Sequence, residues 1–255
     1  MANKKLVELD EFCELSNANN FCERMQSAYW ILANALLVRK EEVEIPLREG
    51  EELWEVARAL RFDHPEINLI WNYPETRYRI IRKPTGKKCM HLFLEYNGTA
   101  QTLKNKLKKI EDVVQEIIEN SVAGKVMGDE QRIEAIYKYM ASRYRYSERM
   151  KNGEYPKTSY NLECLLKQDA VCSGLSSAFT YILKKLQIPV MTVLGESEQE
   201  KHAWNIVQFP NGSYRHIDLT WDVGNRRFEY LALDDIAIRA RRHHWVGRNY
   251  PVCAC

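Results

Sequence analysis

No stretch of this chain is both long and apolar enough to cross a bilayer. The longest apolar run near its start, Ala28 to Val38, is interrupted by Asn34 and follows acidic residues rather than a basic leader. Neither a transmembrane helix nor a signal peptide is expected from it. With no lipidation motif either, the cytoplasm is the expected compartment. Net charge is also scarce, at +2 over 255 residues, which gives no electrostatic reason to expect a nucleic acid or a membrane as partner. Cysteines are present but unpaired in pattern. Cys13, Cys22, Cys89, Cys164, Cys172, Cys253 and Cys255 form no disulfide framework and no Cys-x-x-Cys knuckle, so reduced thiols are expected. Cys253-Ala254-Cys255 lacks the nearby histidine or second cysteine pair of a metal knuckle and reads as two thiols on a tail. No internal repeat or low-complexity tract occurs.

What remains is an ordinary folded composition, 45% hydrophobic and 28% charged, with length for one large domain or two modest ones. Apolar residues recur every three or four positions over 17–39, as Phe21, Met25, Tyr29, Leu32 and Leu36, which predicts a helix. A shorter helix is expected over Glu51–Leu60, ended by Asp63-His64-Pro65. Three β-prone runs follow, Asn68–Trp71, Tyr78–Ile81 and Met90–Leu94, separated by Asn72-Tyr73-Pro74 and Pro84-Thr85-Gly86. They predict a small antiparallel sheet. A helix over about 100–120 carries Leu103, Leu107, Ile110, Val114 and Ile117 as its apolar stripe. Its lysines, Lys104, Lys106, Lys108 and Lys109, read as the solvated face. The two glycines between Ser121 and Asp129 mark the expected boundary between region 1–125 and region 126–255. Beyond it the pattern predicts a helix over Glu130–Tyr144, a polar loop over 147–159 and a helix opening at Cys172. A strand over Val190–Leu194 and a hairpin around Pro210-Asn211-Gly212 complete the series.

Three segments in the last third carry chemistry. Ala170-Val171-Cys172-Ser173-Gly174 puts a thiol at the start of a helical run. There the dipole favours a thiolate, and the backbone N–H points at whatever the sulfur attacks. Gly174 would let backbone or substrate approach closely. His202-Ala203-Trp204-Asn205 offers an imidazole, and His216-Ile217-Asp218-Leu219-Thr220-Trp221-Asp222 offers carboxylates. A thiol nucleophile needs the imidazole to move its proton, and the imidazole needs a carboxylate to fix its tautomer.

Hairpin register decides whether His202 and Asp218 can meet. A three-residue loop with Gly212 in the left-handed position pairs Phe209 with Ser213, Trp204 with Asp218 and His202 with Thr220, and so places Asp218 on the face of His202, one diagonal step away. A two-residue Asn-Gly turn would put Asp218 opposite Asn205 on the wrong face. The bulged loop is therefore a requirement of the catalytic reading. His216 shares the face but lies farther along and reads as structural; Asp222 reads as a turn former.

Together these segments resemble the transglutaminase-like superfamily, and in particular its bacterial members with a papain-like cysteine site. Leu60–Glu66 is similar to the Asp-x-Pro-Glu segment of the N-terminal region of such proteins, Ile133–Tyr146 to the helix before their catalytic segment, and Tyr250–Cys253 to their C-terminal ending. The resemblance spans roughly residues 50–255. It implies an α+β fold in which the cysteine-bearing helix packs on an antiparallel sheet, with an N-terminal helical and small-sheet region. It also implies Cys172 as nucleophile, His202 as base and then acid, Asp218 as the orienting carboxylate, and a thioester intermediate. In the animal enzymes a tryptophan upstream of the cysteine supplies the second oxyanion donor. None occurs between Trp71 and Cys172, which leaves Tyr160 or the amide of Gln168. No acidic loops resemble the calcium sites of those enzymes, and no metal or other cofactor is expected.

The resulting expectation is a peptidase, amidase or amide-forming transferase acting on a peptide or protein, with water or an amine as acceptor. Two other readings use the same residues. One is a non-catalytic protein-binding module on the same fold. The other is a metal site built from Cys172, His202 and Asp218, which lacks a fourth ligand and any compact metal-binding spacing.

Overall fold

A computed structural model describes residues 15–122, 127–224 and 227–254. Its internal contacts define two units, Met1–Leu107 and Lys108–Cys255. The boundary expected at 125/126 falls in residues 123–126, outside the described residues.

The first unit opens with helix α1 (Glu23–Leu37), strand β1 (Glu42–Ile45), helix α2 (Gly50–Asp63) and helix α3 (Pro65–Ile70). Strands β2 (Arg77–Arg82) and β3 (Lys88–Phe93) follow, and the sheet order is β1-β3-β2, antiparallel throughout. Helix α1 begins at Glu23 rather than residue 17 because the preceding segment is used differently. Ser16 Oγ donates to Asp63 at 2.6 Å and the Asn17 N–H donates to it at 2.9 Å, while Tyr29 adds its hydroxyl at 3.1 Å. The run Asn68–Trp71, expected as a strand, is largely helix α3. Pro65 stands in its first turn with a preset φ, its missing N–H costs nothing there, and Ile67, Leu69 and Ile70 are all buried. The third strand is instead β1, whose alternation puts Val43 and Ile45 inward. The core is formed by Leu32 and Leu36 of α1, Val56 and Leu60 of α2, Ile67 of α3 and Met90 and Leu92 of β3. Each such side chain contributes about 1.5–3 kcal/mol of burial.

Helix α4 (Ala100–Val122) contains the division between the units. The second unit continues with α5 (Asp129–Arg143), β4 (Arg145–Tyr146), α6 (Cys164–Lys167), β5 (Asp169–Ala170) and α7 (Cys172–Lys185). Then come β6 (Val190–Ser197), β7 (Glu200–Gln208), β8 (Tyr214–Ile217), α8 (Asp235–Ala240) and β9 (His243–His244). Strands β8-β7-β6-β9 form one antiparallel sheet, and the two-residue strands β4 and β5 pair in parallel. The α+β class follows, with α7 packed on β6 and β7. Buried side chains fasten that helix to the sheet. Asn205 on β7 donates to Thr180 Oγ1 at 2.9 Å and to the Ser176 carbonyl at 3.2 Å, and Thr180 meets Thr192 of β6 at 3.2 Å.

Candidate active site

Cys172 is the first residue of α7, with Val171 in extended conformation before it. The chain reaches it along β5, which lies beside β4. Gly174, one turn in, has the Ser159 carbonyl where a Cβ would stand, so the close approach expected there is made by backbone. That carbonyl also accepts the Val171 N–H at 3.1 Å, fixing the residue before the thiol.

The hairpin has the bulged geometry that the catalytic reading requires. Phe209 donates to the Ser213 carbonyl at 2.8 Å, Gly212 has φ +82°, and Asn205 pairs with Ile217 and Gln208 with Tyr214. Strand β8 ends at Ile217, and Asp218 caps the following 3-10 turn, Leu219–Trp221, by accepting the Thr220 N–H at 2.9 Å through Oδ1. Its other oxygen, Oδ2, lies 2.6 Å from His202 Nε2. His202 is also within hydrogen-bonding reach of Cys172, and with Nε2 committed to the carboxylate, Nδ1 is the nitrogen left for the sulfur. The side chain of His202 is 8% exposed and that of Asp218 is fully buried.

Burial by itself disfavours charge on both partners, yet each keeps it. The charge and hydrogen bond of Asp218, with Cys172 adding to them, lift His202 to about 10 against its burial. Opposing its own burial, Asp218 is held near 2 by His202 and then by His243. At neutral pH this is an imidazolium–carboxylate pair. Burial pushes two other cysteines, Cys164 and Cys253, up to about 12.

Two residues that the sequence did not single out belong to the site. The Tyr146 hydroxyl lies within hydrogen-bonding reach of the Cys172 backbone N–H. An aromatic row runs from it, in which Tyr146 meets Tyr155 at 6.0 Å and Tyr155 meets Tyr160 at 6.3 Å, and Tyr160 also lies in the electrostatic field of Cys172. Gln168 has φ +52°, accepts the Arg145 N–H on its carbonyl at 3.1 Å, and lines a cavity with Glu116, Tyr144 and Leu165. Tyr146 follows α5 directly, 26 positions before Cys172, where an aromatic residue reads as the end of an amphipathic helix. The second residue is His243, whose Nε2 lies 2.8 Å from the same Asp218 Oδ2. The only sequence signal for it is a histidine pair in a short β-prone run, His243-His244-Trp245-Val246.

Trp204 and Trp221 enclose His202, at ring distances of 5.8 and 6.2 Å. The Trp204 indole donates to His216 Nδ1 at 2.9 Å, so the His216 proton sits on Nε2 and is donated to Asp235 at 2.9 Å. Burial, exceeding the pull of Asp235, moves His216 down and keeps it neutral. Asp222 is more than a turn former. It is buried, bonds the Tyr137 hydroxyl and accepts the Tyr230 N–H at 2.8 Å.

Two groups come close enough to be considered as metal ligands, His202–Asp218–His243 and His216–Asp235–Cys253. In the first, the nitrogens lie 2.6 and 2.8 Å from one carboxylate oxygen, whereas ligands of a tetrahedral zinc stand about 3.3 Å apart. In the second, a metal on His216 Nε2 would leave the ring without either proton, since Nδ1 already accepts from Trp204. Both are hydrogen-bonded chains. Cys172 belongs to neither.

Residues 115–219 match the family model of the transglutaminase-like superfamily. The matched segment contains Cys172, His202 and Asp218. Three solved structures are similar at low identity. A TGase is 16% identical with a TM-score of 0.40, over 72% of this chain and 52% of that one. A candidate cysteine protease from Cytophaga hutchinsonii is 12% identical with a TM-score of 0.35, over 59% of this chain and 64% of the other. The periplasmic domain of TgpA from Pseudomonas aeruginosa is 13% identical with a TM-score of 0.35, over 58% and 59%. The chain thus spans about half the length of the TGase it matches. No curated protein matches it. Among the described residues no helix is long and apolar enough to cross a membrane.

Proposed function

We propose that the transglutaminase-like core performs cysteine-dependent acyl transfer on a peptide or protein carboxamide, through a thioester on Cys172. One observation carries the reading. A cysteine at a helix N-terminus lies beside an imidazole whose far nitrogen is held at 2.6 Å by a buried carboxylate.

In the first half-reaction the Cys172 thiolate attacks the carbonyl carbon. A C–S bond forms, and the carbonyl electron pair moves to oxygen. In this reading the Cys172 N–H and the Tyr146 hydroxyl, which lie within hydrogen-bonding reach of each other, receive that oxyanion once the hydroxyl turns from accepting the N–H to donating. Burial first, and then the nearby Cys172, push Tyr146 up, so it stays a protonated donor. Collapse breaks the C–N bond as His202 gives its proton to the leaving amine. In the second half-reaction water or an amine attacks the thioester, His202 takes the incoming proton, and the thiolate leaves. Asp218 keeps the ring in one orientation through both halves.

The exposed aromatic row of Tyr146 and Tyr160 and the half-exposed Trp221 beside His202 suit an extended peptide with apolar side chains. Peptidase and amidase outcomes share water as acceptor and differ in which amide the thiolate attacks, whereas a transferase outcome passes the acyl group to an amine. The binding-module reading predicts no privileged cysteine. Iodoacetamide labelling of the full chain, mapped by peptide mass, separates the two. Cys172 should label fastest, Cys164 and Cys253 slowest, and His202→Ala should slow Cys172 by about tenfold or more. Equal labelling of Cys172 and the exposed Cys22 would sink the enzyme reading. A panel of peptide carboxamides and amines, with Cys172→Ala as blank, then identifies the reaction.

A further inference from the structure

His243 lies on β9, where Ser197 of β6 faces it and Glu196 faces His244. Its ring is fully buried. Nδ1 lies 2.9 Å from the Arg241 carbonyl oxygen and Nε2 lies 2.8 Å from Asp218 Oδ2. A carboxylate only accepts, so Nε2 is the nitrogen that donates to Asp218. The oxygen it meets is the one that His202 uses at 2.6 Å, and the two rings pack edge to face at 5.4 Å. With the Thr220 N–H on Oδ1, three donors converge on one buried carboxylate.

The surroundings are shaped to bring β9 this close. At Gly195 a Cβ would collide with the His244 carbonyl and with the Trp204 ring, so only glycine lets the strand and the indole meet there. Trp204 then stacks on His202 at 5.8 Å and meets His243 edge-on at 5.0 Å, spacing the two imidazoles.

We propose that His243 is a positioning residue of this site: by donating to the Asp218 oxygen that also holds His202, it fixes the carboxylate and divides its charge between two imidazoles, setting how tightly His202 keeps its proton. The inference rests on the reading of Cys172 and His202 as the working pair. A carboxylate serving one imidazole holds that ring's proton hard, and a second donor on the same oxygen loosens the hold. A general acid that must release its proton to a leaving amine benefits from that loosening.

Several groups share this field. His202 faces Asp218 and Cys172, while Asp218 faces His202 and His243. His243 lies beside the Tyr230 ring at 5.9 Å and interacts with His216. Arg241 lies over Tyr230 at 5.4 Å.

The test is the pH profile of Cys172 alkylation by iodoacetamide between pH 5 and 11, in the full chain, with wild type, His243→Ala and His243→Gln compared by peptide mass mapping. The high-pH step, where His202 loses its proton, should move up by about one pH unit in His243→Ala. It should move less in His243→Gln, which keeps a neutral N–H donor for Asp218. An unmoved step in variants with wild-type circular dichroism and Tm overturns the proposal. A wild-type measurement covers the case of an unfolded variant. Proton NMR should show His243 Hε2 as a downfield resonance slow to exchange, and a His243 ring with no proton on Nε2 also overturns it. A wild-type Cys172 no more reactive than the other cysteines overturns this inference together with the proposed function. A reactive, His202-dependent Cys172 with a profile indifferent to His243 overturns this inference alone.

Discussion

His202 Nε2 and Asp218 Oδ2 stand 2.6 Å apart across the β7–β8 hairpin, in a register fixed by Gly212 at φ +82°. That single contact decides which imidazole nitrogen is left for Cys172, and it ties the chemistry of the site to the geometry of a turn.

Replacing Asp218 by Asn should remove the negative charge that keeps His202 protonated and allow the wrong tautomer. Activity on any substrate found should fall by about 10³-fold or more, and the His202 titration should move down from about 10. NMR of the His202 ring against pH checks the second part independently of substrate.

The same pair makes stability depend on pH, with a sign that follows from each shift. His202 is raised from 6.5, so its contribution is complete below about 6.5 and is lost as pH rises toward 10. Asp218 is lowered from 3.8, so its contribution is present above that value and is lost as pH falls toward 2. Urea midpoints should therefore show the pair's contribution at its fullest between about pH 4 and 6.5. In Asp218→Asn this pH dependence should flatten.

Tyr146→Phe keeps the ring and removes only the hydroxyl beside the Cys172 N–H. A lost oxyanion donor of this kind lowers kcat by about 10²-fold with little change in KM. Equal kcat in wild type and Tyr146→Phe would remove this residue from the mechanism while leaving Cys172 and His202 in place.

Gly212→Ala puts a Cβ at a left-handed backbone position with open space around it. The strain is conformational rather than steric. It should cost about 1 kcal/mol in denaturant unfolding and leave the Cys172 labelling rate near wild type. A large loss of labelling would show that the register had slipped.

Much of this arrangement is legible in the sequence, for identifiable reasons. The hairpin register follows from Pro210-Asn211-Gly212 because only glycine takes the left-handed position cheaply, and side-chain alternation then fixes the faces. The start of α7 at Cys172 follows from the apolar spacing behind it. Other parts depend on tertiary context. Asn68–Trp71 is as β-prone as its neighbours, but the proline before it and burial on several sides made it helical. Strand β1 is four residues long and shows its alternation only beside β3. The local patterns around Tyr146 and His243, a helix end and a short β-prone run, give neither a place beside Cys172. The two are 26 residues before and 71 residues after Cys172, and short strands bring them in. The hairpin register and the start of α7 are therefore readable from local motifs, and the residues that tertiary contacts bring beside them are not.

The most direct test is to trap the acyl-enzyme. The full chain is incubated with a peptide carboxamide or an activated acyl ester, quenched in acid and mapped by mass spectrometry. The expected result is an acyl adduct on the Cys172 peptide that hydroxylamine removes, that Cys172→Ala lacks and that His202→Ala forms far more slowly. An adduct spread over several cysteines, or one on Cys172 that forms equally fast without His202, would contradict it.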